Sequence, residues 1–198
     1  MSAPVVTPLV VIPPVADGAG PTVPYVGFAA GTQITCKING MEQAVAVEEL
    51  KPGMLVRTRF NGFCAVDKVG QRTLVNPSSQ DRLANRLYVL PKANYPSLTA
   101  DLTITGNRSV LIPVANDAQK RQMIAVHGRI CIADRQYCLP CAADANATLD
   151  PVQGDVVIYN FSLESSNRVV NQGVFANGLL VDNSSSVHMM NKAYTLVQ

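Results

Sequence analysis

From residue 28 onward, apolar and polar residues alternate over short runs that are punctuated by turn dipeptides. In "ITCKINGMEQA" the alternation is centred on Asn39-Gly40, the pair favoured in two-residue hairpin turns. "VEELKPGMLVRT" gives a short element, a Lys51-Pro52-Gly53 turn and a strand over Met54–Thr58, and "RTRFNGFCAV" repeats the hairpin device at Asn61-Gly62. Further strand-like runs are Leu87–Leu90, Leu102–Thr105, Ser109–Val114, Ile124–Val126, Arg129–Ala133, Asp155–Leu163 and Val174–Val181. Helical periodicity is scarce, and "SSQDRLANRL" over Ser78–Leu87 is its best candidate. The segment Pro140–Gly154, rich in Ala, Asp and Asn, reads as loop, and "NSSSVHMM" (Asn183–Met190) as an exposed polar turn. Many short strands at close spacing predict an all-β domain.

Residues 1–27 break this pattern. They hold six of the thirteen prolines, almost no charge and many valines. Proline fixes φ and cannot donate to a ladder, so the segment is extended or polyproline-like. A flexible tail is one reading, but such tails are rich in Ser, Gly, Glu and Lys. Val5, Val6, Leu9, Val10, Val11 and Ile12 instead suit an arm that docks on a surface. The predicted organisation is an apolar arm over 1–27 and a β-domain over 28–198.

The chain has 198 residues, enough for one domain with a sizeable core. A net charge of +2, with 15% charged residues, argues against nucleic acid as a partner. No apolar run is long enough to span a bilayer as a helix. The start of the chain lacks a basic region and is interrupted by Pro4, Pro8, Pro13 and Pro14, so no signal peptide is expected. On that reading the sequons at Asn107, Asn146, Asn160 and Asn183 are chance, and the five cysteines are reduced thiols of an intracellular polypeptide.

"YCLPCA" places Cys138 and Cys141 in a C-x-x-C, preceded by His127 and Cys131. Three thiolates and an imidazole could surround zinc, but half a zinc ribbon is a weak signal. Buried structural thiols are the preferred reading over metal or a redox pair. His127 and His188, the only histidines, lie far apart, and no orienting third group is evident for either. No phosphate loop, dinucleotide fingerprint, zinc-protease helix or calcium loop is present, and no cofactor is expected.

The stretch "FAAGTQITCKINGMEQAVAVEELKPGMLVRT" (Phe28–Thr58) resembles the opening of a Hint domain, the hedgehog/intein self-processing family. The matching residues are Gly31, Thr32, Ile34, Gly40, Val47, Glu48, Leu50, Gly53, Val56 and Thr58. "TGNRSVLI" (Thr105–Ile112) is similar to the family's T-x-x-H turn and strand, and "YNFSLE" and "VFANGLLVDNSS" resemble its closing strands. The resemblance implies a Hint-like β-fold and an acyl shift, in which a cysteine attacks the preceding carbonyl and a histidine protonates the departing nitrogen. Here the nucleophile position falls on Gly27 and the histidine position on Arg108, leaving Thr105 alone. Glycine has nothing to attack with, and arginine does not exchange its proton at neutral pH.

The expectation is therefore a non-catalytic Hint-like domain that keeps its arm and acts in assembly. The closing strands resemble Hint-like proteins of large DNA viruses, which implies a minor, cementing capsid component located in the virion and meeting other capsid subunits. The alternatives are a cytoplasmic, diverged self-processing domain or thiol-dependent hydrolase using Cys64, Cys138 or Cys141, and a small zinc-stabilised adaptor. Asp101 is the expected carboxylate partner of Arg108.

Overall fold

The computed structural model describes residues 24–190 and 194–197. Its first hairpin follows from Asn39-Gly40: both residues take left-handed φ, 51° and 84°, as a type I′ turn requires. β1 (Phe28–Ala29) precedes this hairpin of β2 (Gln33–Ile38) and β3 (Met41–Ala46), in which Ile34 and Cys36 are fully buried. A single 3₁₀ turn, Val47–Glu49, leads to β4 (Leu55–Arg57), and Asn61-Gly62 turns it into the long β5 (Phe63–Asn76). Then come β6 (Leu87–Leu90), β7 (Leu102–Thr105), β8 (Ser109–Ile112) and helix α1 (Asp117–His127). A second set comprises β9 (Ile132–Ala133), β10 (Gln136–Pro140), β11 (Thr148–Leu149) and β12 (Gly154–Leu163). The chain closes with β13 (Gly173–Ala176), β14 (Leu179–Asp182), helix α2 (Ser186–Met190) and β15 (Thr195–Val197).

The strands pair antiparallel into one winding sheet, in the order β11-β6-β7-β1-β12-β5-β4-β2-β13-β14-β8-β10-β9, with β3 added to β2 and β15 to β5. Its spine is the β5–β12 ribbon, which runs from Asn76 opposite Gly154 to Val66 opposite Leu163 and shifts register at Ser162/Leu163. The core comprises Phe28, Ile34, Val47, Leu50, Val56, Leu102, Ile104, Phe161, Val174 and Val181, with their neighbours. Two-residue β1 is held on both sides: Phe28 faces Tyr159 of β12 and Ile104 of β7. This pairing carries the end of the arm into the interior.

The all-β expectation holds, and β6 and β7 keep their predicted limits. Five local expectations do not. Ser78–Leu87 is not a helix; its arginines turn away to hold loop carbonyls. Arg86 donates to the nearby Ser79, Asp81 and Pro77, and Arg82 makes long-range bonds to Cys141, Ala142, Asp144 and Ala147; together these override local propensity. Ile124–Val126 is not a strand but the last part of α1. That helix starts at a capping box between Asn116 and Gln119 and ends at Gly128, at φ 72°. Asn183–Ser186 is buried, not exposed, and runs into α2. Pro140–Gly154 is partly ordered as a buried 3₁₀ turn, Cys141–Ala143, followed by β11. Val174–Val181 divides into β13 and β14 at a further type I′ turn, Asn177-Gly178.

Two of these turns make a matched pair for a test. Gly40 and Gly178 have φ of 84° and 86°, but a Cβ on Gly40 meets nothing, whereas one on Gly178 would lie 2.5 Å from the Ser97 carbonyl oxygen. Gly40→Ala should cost about 1–2 kcal/mol, the left-handed backbone penalty alone. Gly178→Ala should cost a further 1–3 kcal/mol, roughly, for overpacking against backbone. Urea unfolding of the two variants measures the gap; equal losses would refute the contact.

Candidate functional site

β1, the β7–β8 turn, β12 and β14 converge on one residue. The side chain of Arg108 is fully buried. One terminal guanidinium nitrogen donates to the Asp182 carbonyl oxygen and lies 3.7 Å from the Asp182 carboxylate, and the other donates to Asn160 Oδ1 at 2.6 Å. The guanidinium carbon sits 3.9 Å from the centre of the Phe28 ring, an attractive cation–π distance. Its Nε atom is buried without a partner. Asp182, not Asp101, is therefore the carboxylate that meets Arg108. Asp101 is exposed and accepts from the Lys92 N–H. Burial pushes the Asp182 carboxyl up from its usual range, while Arg108 and the Ser109 N–H, 2.9 Å away, oppose that rise.

The Val26–Gly27 peptide group lies beside this cluster, held at both ends. Gly27 donates its N–H to Thr105 Oγ1 at 3.0 Å, and its carbonyl accepts from the Thr105 N–H at 3.1 Å. The Val26 carbonyl accepts from the Tyr194 hydroxyl. Further out, Asn107 donates to the Tyr25 carbonyl, Asn85 accepts from the Tyr25 N–H, and the Arg72 guanidinium lies 3.5 Å from the Tyr25 ring centre. Tyr194 and Asn107 were not singled out from sequence; both act through distant partners that carry no local pattern. Gly27 has little room for a side chain, since a Cβ there would lie 3.0 Å from Ile158 and from the Tyr159 carbonyl oxygen. Polarising the carbonyl and binding the amide nitrogen prepare a peptide group for attack, but residue 27 supplies no nucleophile.

A cavity of about 690 Å³ adjoins the clamp, with Val26, Ser109, His127, Cys131, Ser184 and His188 in its wall. His127 and His188, distant in sequence, thus share a cavity. His127 Nε2 lies 3.2 Å from Ser109 Oγ. Burial, with help from Arg129, pushes His127 down to about 4, so its ring is neutral at pH 7. His188 is also lowered, first by burial and then by Arg108 and Arg72, and its Nε2 is buried without a partner.

The cysteines occupy several environments. Cys36, Cys138 and Cys141 are buried, and burial raises each thiol, Cys36 to about 11. Cys64 is half-buried, with its sulfur 3.7 Å from Gln172 Oε1. His127, Cys131, Cys138 and Cys141 do not assemble: Cys141 sits near Arg82 and Asp144, and no group of three metal-ligating side chains occurs among the described residues. The sequons at Asn107, Asn160 and Asn183 are buried, and Asn146 is exposed. Val5, Val6, Leu9, Val10, Val11 and Ile12 lie outside the described residues. No described helix is long and apolar enough to cross a membrane.

Arg108→Met should destabilise the protein by roughly 3–5 kcal/mol near pH 7, because it leaves Asp182 buried and uncompensated. The Asp182→Asn change in that background should restore part of the loss. The sign with pH follows from Asp182. Its folded pKa is raised, so its contribution is fully present below the unfolded value of about 3.9 and fades as pH rises through the folded value. Without Arg108 that pKa climbs further, and the deficit relative to wild type should widen from pH ~4 to pH ~7. Urea unfolding across that range checks this; a deficit that narrows would contradict the pairing.

No protein family and no curated protein matches the chain. Solved structures similar to it are inteins, the kind of domain that the Phe28–Thr58 resemblance implies. A DnaB intein from Synechocystis sp. PCC 6803 aligns at 11% identity and a TM-score of 0.44, over 81% of this chain and 99% of that one. The gp41-1 intein aligns at 10% identity and 0.41, over 80% and 99%, and the VidaL intein at 15% and 0.38, over 81% and 96%. At these scores and identities the likeness carries no inference about site, chemistry or partner.

Proposed function

We propose that this chain is a Hint-like domain that does not process itself, and that it serves as an assembly subunit whose retained N-terminal arm engages neighbouring proteins. The observation that carries the reading is the filled junction at Gly27. The residue has no nucleophile, and its neighbours Ile158 and Tyr159 leave little space for one. Arg108 supports the same reading. It occupies the place where the family resemblance puts a proton donor, yet it is a permanently charged group committed to Asp182 and Asn160. With neither nucleophile nor acid, the acyl shift has no first step. Residues 1–27 then stay covalently attached, and an apolar arm gains by lying on another protein's surface.

For the partner we propose the subunits of a regular shell, that of a large DNA virus, with this chain as a minor cementing component. This rests on the resemblance of "YNFSLE" and "VFANGLLVDNSS" to Hint-like proteins of such viruses.

A second reading has one observation in its favour: the Thr105 and Tyr194 bonds hold the Val26–Gly27 amide as a self-processing site would. In that reading another thiol attacks, and a working nucleophilic cysteine needs a lowered pKa and reacts fast. The buried thiols of Cys138 and Cys141 are shifted the other way.

Intact mass spectrometry of protein from its native source separates the two. The assembly reading expects the full 21.2 kDa chain, copurifying with a larger regular assembly. Loss of the arm's mass, or rapid labelling of a single cysteine by iodoacetamide near pH 7, would favour the processing enzyme.

A further inference from the structure

The β9–β10 hairpin turns on two residues, Asp134 and Arg135, whose φ angles of 48° and 58° give the type I′ geometry. That turn fixes the register: Ala133 faces Gln136, and Ile132 faces Tyr137. The next pair outward is Cys131 and Cys138, and the Cys138 N–H donates to the Cys131 carbonyl at 3.0 Å. Residues directly opposite in an antiparallel ladder share a face. A hydrogen-bonded opposite pair has its Cα atoms about 5.5 Å apart, inside the roughly 4.4–6.8 Å window that a disulfide spans. Its Cβ atoms start about 5.5 Å apart, wider than the roughly 3.5–4.5 Å of a relaxed disulfide, so closing the bond draws the two strands together and leaves it strained and easily reduced.

Both cysteines are free thiols in one small apolar cluster with Leu111, Ala133 and Leu180, and both line the cavity beside the clamp. They differ in access. Cys131 is half-buried and Cys138 is 4% exposed. The turn between them is anchored from the body, since Asp134 accepts from the Gly173 N–H at 2.7 Å. The C-x-x-C spacing in the sequence directs attention to Cys138 and Cys141, but the hairpin brings Cys138 to Cys131 instead.

We propose that Cys131 and Cys138 form a reversible cross-strand disulfide that closes the β9–β10 hairpin along the cavity wall when the chain meets a disulfide oxidant. The accessible Cys131 thiolate attacks one sulfur of a soluble disulfide such as oxidised glutathione, forming a mixed disulfide and expelling one glutathione thiolate. Cys138 gives its proton to solvent and attacks the Cys131 sulfur, which releases the second glutathione thiolate. Two protein thiols are oxidised to one disulfide, and one glutathione disulfide is reduced to two thiols. A reducing thiol reverses the exchange. The bond would thus report passage from a reducing interior to an oxidising exterior.

The test uses the full reduced chain, incubated with oxidised glutathione and then read by intact mass and by non-reducing peptide mapping. The expected result is loss of two hydrogens per chain, one cross-link joining the Cys131 and Cys138 peptides, and recovery of all thiols with dithiothreitol. Cys141→Ser should close the same bond. Cys131→Ser, at the more exposed position and so the safer variant for folding, should lose the cross-link while keeping the wild-type circular dichroism. In the oxidised wild type, hydrogen exchange at the Cys138 N–H, which bonds to the Cys131 carbonyl across the hairpin, should slow. Persistence of all five thiols, a glutathione adduct that stalls on Cys131, or a cross-link to Cys36, Cys64 or Cys141 would overturn the proposal.

Discussion

A guanidinium with no solvent exposure sits where four parts of the sheet meet, and the placement of the rest follows from how that charge is satisfied. The effective penalty for taking one ion out of water is several kcal/mol even after relaxation. Arg108 offsets it with the Asp182 carboxylate and carbonyl, the Asn160 side chain and the face of Phe28. These partners belong to β14, β12 and β1, and Arg108 itself closes the turn before β8. A slip of one residue in any of these strands would turn its side chains to the other face and strand the charge. The ion pair is thereby tied to the register of these strands.

The same cluster explains why the end of the arm is interior. Phe28 must reach the guanidinium, which draws Gly27 between Ile158 and Thr105. The buried backbone groups at this point need partners, because an unpaired amide or carbonyl away from water costs about as much as a lost hydrogen bond. Thr105 and Tyr194 provide them. Glycine at position 27 follows from packing: little space remains there for a Cβ.

Much of the sheet was legible because hairpin chemistry is local. Asn39-Gly40 and Asn61-Gly62 announce their turns, and the alternation in β2 marks which residues face inward. Helix α1 was also written locally, in the Asn116–Gln119 capping box and Gly128. Its apolar periodicity is faint, because only Met123 on it is fully buried. The failure at Ser78–Leu87 is of another kind. Its arginines instead bond to carbonyls, Arg82 to ones as far as 65 residues away. The identity of Arg108's partner was unreadable for the same reason. Asp182 lies in "LLVDNSS", where a single sequence gives no hint that its carboxylate meets a turn 74 residues earlier. The contacts of Tyr194 and Asn107 and the Cys131–Cys138 pairing likewise required the fold.

The clamp on the Val26–Gly27 peptide group does not by itself argue for or against chemistry. A threonine hydroxyl on the amide nitrogen and a phenol on the carbonyl are what a reactive site would use to bind its amide. They are equally what a buried, non-reacting segment needs to satisfy its backbone. Groups that serve both purposes persist on structural grounds whether or not the reaction does. The informative positions are those whose only use is reactive, a nucleophile and a proton donor. Where the family resemblance would put these two groups, this chain has a glycine with little room for a side chain and an arginine paired with a carboxylate. Backbone satisfaction alone is enough to account for the clamp.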